Sequence, residues 1–331
     1  MKLLPILFLA LLPSFIGVPL RRLLGQKIGK GTKISFGTII ISNNIIIGNC
    51  VKLGPLTIIN ASHLFIDDNT VIKSLSVIFS SKVYLGKYVH ISPFSFIIGS
   101  NESKSIISVG DHSRFFPFCW LEPGEGIKIG RHVGIGGHTL IFTHGSWSNY
   151  LKGGPKSYGP VEICDNVWLA WRVFVMPNVK IEKNAIISAN SFVVRDIPEN
   201  SIAAGNPARI IGQAHINMSF DEIEKRLIEI IDDFNQYINI NLNFNLIYKD
   251  RTIQFYDNTI INIEESDNSK TNLHLLFDDV SIEEKLNQKK SIINFNTETA
   301  VLFNNPGKNL HLQFVSYLRK YGVRLYIQHN Y

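Results

Sequence analysis

The chain has 331 residues, of which 45% are hydrophobic and 18% are charged, with 33 basic against 27 acidic residues. This composition is typical of folded globular proteins and excludes disordered and collagen-like chains. At roughly 100–200 residues per domain, the length allows about two domains. The basic residues do not form one block, so the net charge of +6 does not indicate nucleic acid as a partner.

The three cysteines, Cys50, Cys119 and Cys164, are widely spaced and form no CxxC pair. Neither a disulfide framework nor a zinc site is therefore predicted. The pattern fits a reducing compartment. Cys164 is expected at the start of a strand in the repeat, which favours a packing role over that of a nucleophile.

The N-terminal segment is almost wholly apolar from Leu3 to Leu20 and is followed at once by Arg21 and Arg22. A secretory signal carries its positive charge before the apolar run, so cleavage is not expected. The run of about 18 residues contains three prolines, and a spanning helix needs roughly 20 residues. We expect residues 1–27 to form an interfacial segment, in which residues 1–22 contact the membrane peripherally and the arginines meet anionic headgroups. A spanning or signal segment, and a buried helix that closes the next domain or packs between subunits, are the alternatives.

From Ile28 onward, aliphatic residues recur at every sixth position. A helix has a period of 3.6 and a strand a period of two, so this spacing predicts short strands joined by turns and wound into stacked coils with three segments each. The predicted fold is mainly β and extends over 28–213. The anchor runs are Ile28–Ile34, Ile47–Leu53–Ile59, Leu85–Ile91–Ile97, Val109–Phe115–Leu121, Ile129–Ile135–Ile141 and Ile163–Leu169–Val175–Ile181–Ile187–Val193.

The segment from Ile163 to Ile181 and the segment from Ala185 to Ile211 resemble the hexapeptide-repeat acyltransferases, and within them the sugar and xenobiotic O-acetyltransferases. The resemblance covers about residues 28–213. It implies a left-handed parallel β-helix, with acetyl-CoA as co-substrate and no metal. Because acetyl-CoA lies between neighbouring subunits in that family, the resemblance also implies a homotrimer.

The six-residue period breaks after Ile141 and resumes at Ile163, which predicts a loop that leaves the coil. Loops on rigid scaffolds commonly carry the chemistry. His144 matches the catalytic histidine of the resembling family, and imidazole is suited to removing a hydroxyl proton near neutral pH. The loop offers Trp147 and Asn149 as further acceptor-binding residues. Glu122, Glu162 or a backbone carbonyl could orient the imidazole, and the sequence does not decide among them.

The resemblance assigns further residues to ligand binding. Ala170 and Ala189 are the expected pantetheine contacts, Arg195 lies near the coenzyme phosphates or adenine, and Arg209 is the candidate for the 3′-phosphate. Trp168 occupies an aromatic position where it could pack against the sugar or simply against the coil. The sequence departs from the family pattern in Trp171 for a small residue, Ser188-Ala189-Asn190 for Gly-Ala-Gly, and Val194 for a polar residue.

His132 and His138 precede His144 at intervals of six. A three-histidine metal site, as in the γ-class carbonic anhydrase relatives of this fold, would need ligands that converge. Residues six apart point from successive faces of the coil. We therefore expect exposed turn residues and no metal.

After Ile211 the repeat ends. A capping box, Ser219 to Glu222, begins a connector over 214–242 that is predicted to hold a helix of about five turns. Residues 243–331 are predicted to be a small α+β domain of unknown role. Its expected elements are the strands 244–248, 253–256, 260–263, 273–277, 292–295 and 323–327 and a helix over 310–321.

These inferences predict an acetyl-CoA-dependent O-acetyltransferase that modifies a sugar hydroxyl, in a surface polysaccharide or its precursor, by direct transfer. We expect it in the cytoplasm, peripheral at the inner face of the membrane. An N-acetyltransferase of a nucleotide-linked amino sugar is the alternative enzyme. A non-catalytic β-helix that serves in binding or assembly is the alternative from another class.

Overall fold

A computed structural model describes residues 3–100, 102–146, 148–214, 220–242, 247–249, 252–254, 259–265, 273–279, 291–294, 299–303, 314, 317–321 and 326–330. The chain divides into two compact units, residues 1–216 and 217–331. The first unit is a parallel β-helix preceded by two helices, and the second combines one long helix with a sheet.

The β-helix has three faces of parallel strands; the first and third are joined in one 14-stranded sheet, and the second is a separate sheet. Two nine-residue strands, Ile39–Ile47 and Ile58–Ile66, run from the third face into the first. In addition, the first face contains Lys27–Ile28, Lys82–Leu85, Ile106–Val109, Ile127–Ile129, Val161–Ile163 and Lys180–Ile181. The third contains Val77–Phe79, Phe96–Ile98, Trp120–Glu122, Leu140–Phe142, Phe174–Val175 and Phe192–Val193.

The second face has nine parallel strands within the described part of the chain, closed by one antiparallel strand. Its parallel strands are Lys33–Ile34, Lys52–Leu53, Val71–Ile72, His90–Ile91, Arg114–Phe115, Gly134–Ile135, Trp168–Leu169, Ile186–Ile187 and Ser201–Ala204, and Arg209–Gln213 follows. The mainly β, coiled fold predicted from the period of six is thus confirmed.

The repeat produces this fold because one aliphatic side chain per segment points into the coil. Every anchor residue of the six-residue runs is buried. The residue four positions after an anchor is buried as well, as at Val133, Thr139 and Val173. Burying a side chain of the size of Val or Ile contributes about 1.5–3 kcal/mol, so stacked aliphatic layers are the main source of stability here.

Two short helices precede the coil, α1 (Leu3–Ala10) and α2 (Ser14–Leu23). Between them they contact the first strands of all three faces, so they cover the end of the coil. Gly37 donates its backbone N–H to the Ala10 carbonyl, and Ile34 donates to the Ser14 hydroxyl. These bonds provide acceptors for backbone N–H groups of the first coil, whose edge would otherwise be unpaired.

The N-terminal segment therefore closes the end of the coil. A closing helix was one of the alternatives that the sequence left open. Among the described residues, no helix combines the length and apolar character that crossing a bilayer requires. The arginines do not occupy the position expected of them. Arg21 is buried, and Arg22 donates to the carbonyls of Ile28 and Gly29.

In the second unit, α3 (Phe220–Leu242) has 23 residues and is longer than the predicted five turns. Ser219 of the predicted capping box lies outside the described residues. The sheet contains Ile247–Lys249, Thr252–Gln254, Thr259–Glu265, Leu273–Asp279, Ser291–Asn294, Thr299–Phe303 and Tyr326–Asn330, of which Thr299–Phe303 was not predicted. Most of the predicted helix 310–321 lies outside the described residues. Phe314, Tyr317 and Leu318 are helical, and a 3-10 turn, Arg319–Tyr321, follows.

Candidate functional site

The loop that leaves the coil after Leu140–Phe142 returns at Val161–Ile163. It opens with a short antiparallel ribbon, in which His144–Gly145 pairs with Ser157–Tyr158. The ribbon is what holds His144 at the base of the loop, next to the third face. The Tyr158 ring stacks beside the imidazole, with 6.0 Å between the ring centroids.

His144 forms a short hydrogen bond with a carboxylate. Its Nδ1 lies 2.6 Å from Oε2 of Glu122. The imidazole is 47% exposed, whereas the Glu122 side chain is only 13% exposed. A carboxylate on Nδ1 favours the tautomer with the proton on that nitrogen, so Nε2 presents its lone pair to solvent. A histidine held in this way can act as a general base.

Several donors position the Glu122 carboxylate. Gly124 donates its backbone N–H to Oε1 over 2.9 Å, and the buried Thr143 hydroxyl lies 2.9 Å from Oε2. The Thr143 hydroxyl also accepts a hydrogen bond from the backbone N–H of Glu125. Hydrogen bonds from several donors fix the rotamer of a carboxylate. Glu122 is therefore a preorganised partner for the imidazole.

The structure thus selects Glu122 among the partners that the sequence left open. Glu162 lies on the first face, where it pairs with Lys128 over 2.8 Å. The signal for Glu122 was present in the repeat. Leu121 and Ile141 are equivalent anchors of adjacent coils, and their strands pair with Glu122 opposite Phe142. His144 follows two residues later, close enough to reach back to Glu122.

The described remainder of the loop carries aromatic and basic groups, of which Tyr158 lies beside the imidazole. Asn149, proposed as an acceptor contact, uses its side-chain oxygen to cap the 3-10 helix Tyr150–Lys152, accepting from the Leu151 N–H over 3.0 Å. The Lys156 ammonium lies 5.5 Å from the centroid of the Tyr158 ring. Trp147, the other proposed contact, lies outside the described residues.

Trp168 packs on the second face, away from the His144 loop. Its ring covers Gly134 of the preceding coil, and the edge of Phe116 meets it with 6.0 Å between centroids. Trp171 covers Gly137 in the same way. The bulky residue at 171, which departs from the family pattern, is therefore accommodated by a glycine one coil earlier. Within one chain, Trp168 thus packs against the coil, which is one of the two roles that the sequence left open for it.

Gly137→Ala is expected to destabilise the coil, because the new Cβ would lie 2.5 Å from the Trp171 ring and 2.9 Å from the Pro117 carbonyl oxygen. Overpacking of this kind costs about 1–3 kcal/mol. Thermal unfolding measures the effect. Gly212→Ala is the control, since its Cβ would approach no atom closer than 4.0 Å. Equal melting temperatures for the two variants would contradict the packing described.

The residues proposed for coenzyme binding lie on two parts of the surface. Ala170 follows the strand Trp168–Leu169 on the second face, Ala189 is exposed at the next corner, and Arg209 is exposed on the closing strand of that face. Arg195 is exposed just after the third face. Gly136, Ala170, Ser188 and Ala204 occupy equivalent positions in successive coils of the second face.

His132 and His138 lie at two different corners of the coil, both with φ near 57–58°. His132 stacks on His112 with 5.1 Å between centroids, and His138 stacks on Phe118 with 4.9 Å. The two imidazoles therefore belong to two separate stacks of aromatic rings. Within the described residues, no group of three or more His, Cys, Asp or Glu side chains is placed to hold a metal ion.

The two partly or fully buried cysteines are poor nucleophiles. Burial raises the pKa of Cys119 to about 12. Burial, together with a contact to the Glu182 carboxylate, raises the pKa of Cys164 to about 11. Since the thiolate is the reactive form, both groups are protonated at neutral pH.

Comparison with known proteins finds relatives that are acetyltransferases and that match part of this chain. A protein of Saccharomyces cerevisiae named as an acetyltransferase is 38% identical over 121 residues, which are 36% of this chain and 59% of that protein. The galactoside O-acetyltransferase of Lactococcus lactis is 40% identical over 86 residues, 25% of this chain and 42% of the relative. That of Escherichia coli is 32% identical over 126 residues, 31% of this chain and 62% of the relative. Over these segments the chain is similar to acetyltransferases, two of which are galactoside O-acetyltransferases.

No family model matches the chain. Among solved structures, the hexapeptide-repeat acetyltransferase of Vibrio cholerae complexed with acetyl coenzyme A is 28% identical, covers 40% of this chain and 72% of its own, and has a TM-score of 0.35. The chain spans less than two thirds of the length of these three curated relatives.

Proposed function

We propose that this chain is a hexapeptide-repeat, acetyl-CoA-dependent O-acetyltransferase that acts on a sugar hydroxyl, in a surface polysaccharide or its precursor. The observation that carries the proposal is the hydrogen bond of 2.6 Å between His144 Nδ1 and Glu122. It leaves Nε2 free to accept a proton, at the loop where a superfamily acetyltransferase would need its base. The relatives that are galactoside O-acetyltransferases support the acceptor class.

In the proposed reaction, His144 Nε2 removes the acceptor hydroxyl proton while the hydroxyl oxygen attacks the thioester carbonyl. A tetrahedral intermediate forms and collapses, the C–S bond breaks, and the imidazolium returns the proton to the leaving thiolate. The products are the acetyl ester and the free thiol of CoA. Glu122 stabilises the imidazolium while it exists. The acceptor attacks the thioester directly, so proximity supplies much of the acceleration.

The chain has surface suited to the co-substrate. Ala170, Ser188 and Ala204 are half-buried and form a column of small residues on which an extended pantetheine arm can lie close to the backbone, whereas Gly136 of the preceding coil is buried. Ala189 adds a small residue at the adjoining corner. The exposed guanidinium groups of Arg195 and Arg209 are suited to the coenzyme phosphates.

A homotrimer explains how these parts meet. In one chain, the small-residue column lies on the second face, whereas His144 follows the third face. A second copy can bring its column to the His144 loop of the first. The outward side chains of the third face support such packing, because they are apolar through six successive coils: Val77, Phe96, Trp120, Leu140, Phe174 and Phe192.

We place the enzyme in the cytoplasm, peripheral at the inner face of the membrane, where lipid-linked polysaccharide precursors are accessible. Residues 28–213 form the proposed catalytic domain, after the interfacial segment 1–27. The connector 214–242 and the domain 243–331 follow it, and we propose that they serve acceptor recognition or scaffolding rather than chemistry.

The direct test incubates purified protein with acetyl-CoA and candidate acceptors and measures release of free thiol. Release with neutral or acidic sugars that lack an amine supports O-acetyl transfer. Release with amino sugars alone would replace the proposal by N-acetyl transfer. No release with any acceptor, together with no CoA binding by calorimetry, would leave a non-catalytic module.

Cys164→Ala is expected to keep turnover within about twofold of the wild type. At a pKa of about 11 the thiol is ionised in only ~10⁻⁴ of molecules at pH 7. Turnover with saturating acetyl-CoA measures the effect, and mass spectrometry of the enzyme with acetyl-CoA alone provides the control. An acetylated Cys164 peptide would contradict direct transfer.

A further inference from the structure

The two N-terminal helices carry apolar side chains on both of their faces. Ile6, Leu9 and Val18 are buried, and the helices close the coil end with them. The opposite side of α1 is a second stripe at helical spacing, with Leu4, Leu7, Phe8 and Leu11 all exposed. A surface helix of a globular protein normally presents polar residues outward. α1 contains no polar residue.

The outward side of α2 continues this surface. Phe15 is 78% exposed, Ile16 is exposed, and Leu23 and the following Leu24 are exposed as well. Together, α1 and α2 present eight large apolar side chains to solvent, a concentration that marks an interaction surface. We call these residues the outer apolar surface: Leu4, Leu7, Phe8, Leu11, Phe15, Ile16, Leu23 and Leu24.

Charge indicates what this surface meets. The first 66 residues contain no Asp or Glu, so all 27 acidic residues lie beyond them, whereas seven of the 33 basic residues lie within them. Lys27, Lys30 and Lys33 are exposed on the first coil, which the helices cover, and Lys52 is exposed one coil further on. Adjacent coils are ~5 Å apart, so all four ammonium groups lie within about two coils of the helices.

Among the described basic residues at this end of the coil, the side chains that can reach an anionic surface are therefore these lysines. Arg21 is buried, with Nη1 and Nη2 lacking a hydrogen-bond partner among the described residues, and Arg22 is bonded to backbone carbonyls. An apolar surface with a rim of lysines is the arrangement of interfacial membrane-binding elements. Neither helix, with 8 and 10 residues, is long enough to span the bilayer.

We infer that the outer apolar surface of α1 and α2 docks in the interface of an anionic bilayer, with Lys27, Lys30 and Lys33 on lipid phosphates. The helices remain packed on the coil while they do so, since their inner faces are the closing layer of the core. In the proposed trimer, three parallel coils would present three such surfaces at the same end, which multiplies the affinity. The inference goes beyond acetyl transfer and does not depend on it.

The test is sedimentation of the full-length protein with vesicles of phosphatidylglycerol and phosphatidylcholine, and with vesicles of phosphatidylcholine alone. We expect binding to the anionic vesicles that weakens as salt is raised. Phe8→Ser combined with Phe15→Ser is expected to lower vesicle affinity at least ~10-fold. The control Ile211→Ser removes an equally exposed apolar residue from the last strand of the coil and is expected to change nothing.

A second variant tests the charges. Lys27→Gln, Lys30→Gln and Lys33→Gln together are expected to lower affinity for the anionic vesicles about 100-fold, with no change on neutral ones. If inorganic phosphate weakens vesicle binding no more than another salt of equal ionic strength does, the assignment to lipid stands. If inorganic phosphate prevents vesicle binding at concentrations too low to change the ionic strength, the ligand is free phosphate and not the lipid.

Point substitutions are preferable to deletion of residues 1–22, because deletion also uncovers the end of the coil. Far-ultraviolet circular dichroism and thiol release with a soluble acceptor verify that the variants remain folded. Full-length protein that stays in the supernatant with anionic vesicles at low salt would overturn the inference. So would a larger soluble assembly that dissociates in the Phe8→Ser, Phe15→Ser variant, since that would assign the surface to a second copy of the chain.

Discussion

His144→Ala is expected to lower turnover by about 10²–10⁴, the usual contribution of a positioned general base. The loss should appear in kcat and in kcat/KM for the acceptor alike, because Nε2 acts on the proton that leaves during attack. Steady-state thiol release at saturating acetyl-CoA measures it. The fold should persist, since the imidazole is nearly half exposed, at the base of a loop that lies outside the coil.

CoA binding by the same variant is the control. Calorimetric affinity within about twofold of the wild type would show that the loss lies in the chemistry. His138→Ala is a matched substitution, because His138 is an exposed imidazole six residues earlier that stacks on Phe118. Comparable losses in the two variants would contradict a catalytic assignment to His144.

Glu122→Gln is expected to have the second largest effect, about 10²–10³ in kcat with little change in KM. An amide can donate its N–H to Nδ1 and so favour the tautomer that carries the proton on Nε2, where it blocks base action. Glu122 acts through the imidazole and is a positioning residue. Nitrogen chemical shifts of the imidazole measure the change of tautomer directly, which a purely structural role would not produce.

Glu162→Gln provides the matched control. This carboxylate pairs with Lys128 on the first face, so turnover should remain within about twofold. Exposed pairs of this kind contribute little to stability. If Glu122→Gln and Glu162→Gln were equally active, the hydrogen bond to Nδ1 would have no role in turnover.

The period of six predicted the coil correctly because the chemistry of each segment is local. An aliphatic residue every six positions forces a strand and a turn, and the next coil only repeats the requirement. The loop between Ile141 and Ile163 was predictable for the same reason, since a break in the period leaves residues with no place in the stack. The C-terminal sheet was predicted with one strand missing, Thr299–Phe303, because short apolar runs without a repeat give a weak signal.

The N-terminal segment shows where the sequence was ambiguous. Its apolar residues were compatible with a membrane surface, a span or a buried cap, since hydropathy does not distinguish lipid from a protein core. The structure divides them by helical face: Ile6, Leu9 and Val18 against the coil, and Leu4, Phe8 and Phe15 to the outside. It also buries Arg21, which the sequence placed at headgroups.

By itself, the sequence determined the repeating coil, the excursion and the histidine at its base, because each is expressed within a few consecutive residues. Only the tertiary structure decided that Glu122, 22 residues before His144, is the carboxylate on Nδ1, and that glycines one coil earlier make room for Trp168 and Trp171. These contacts join adjacent coils. Their partners are set by how many residues each coil contains, and insertions change that number from coil to coil, so the pairing becomes definite only when the coils are stacked.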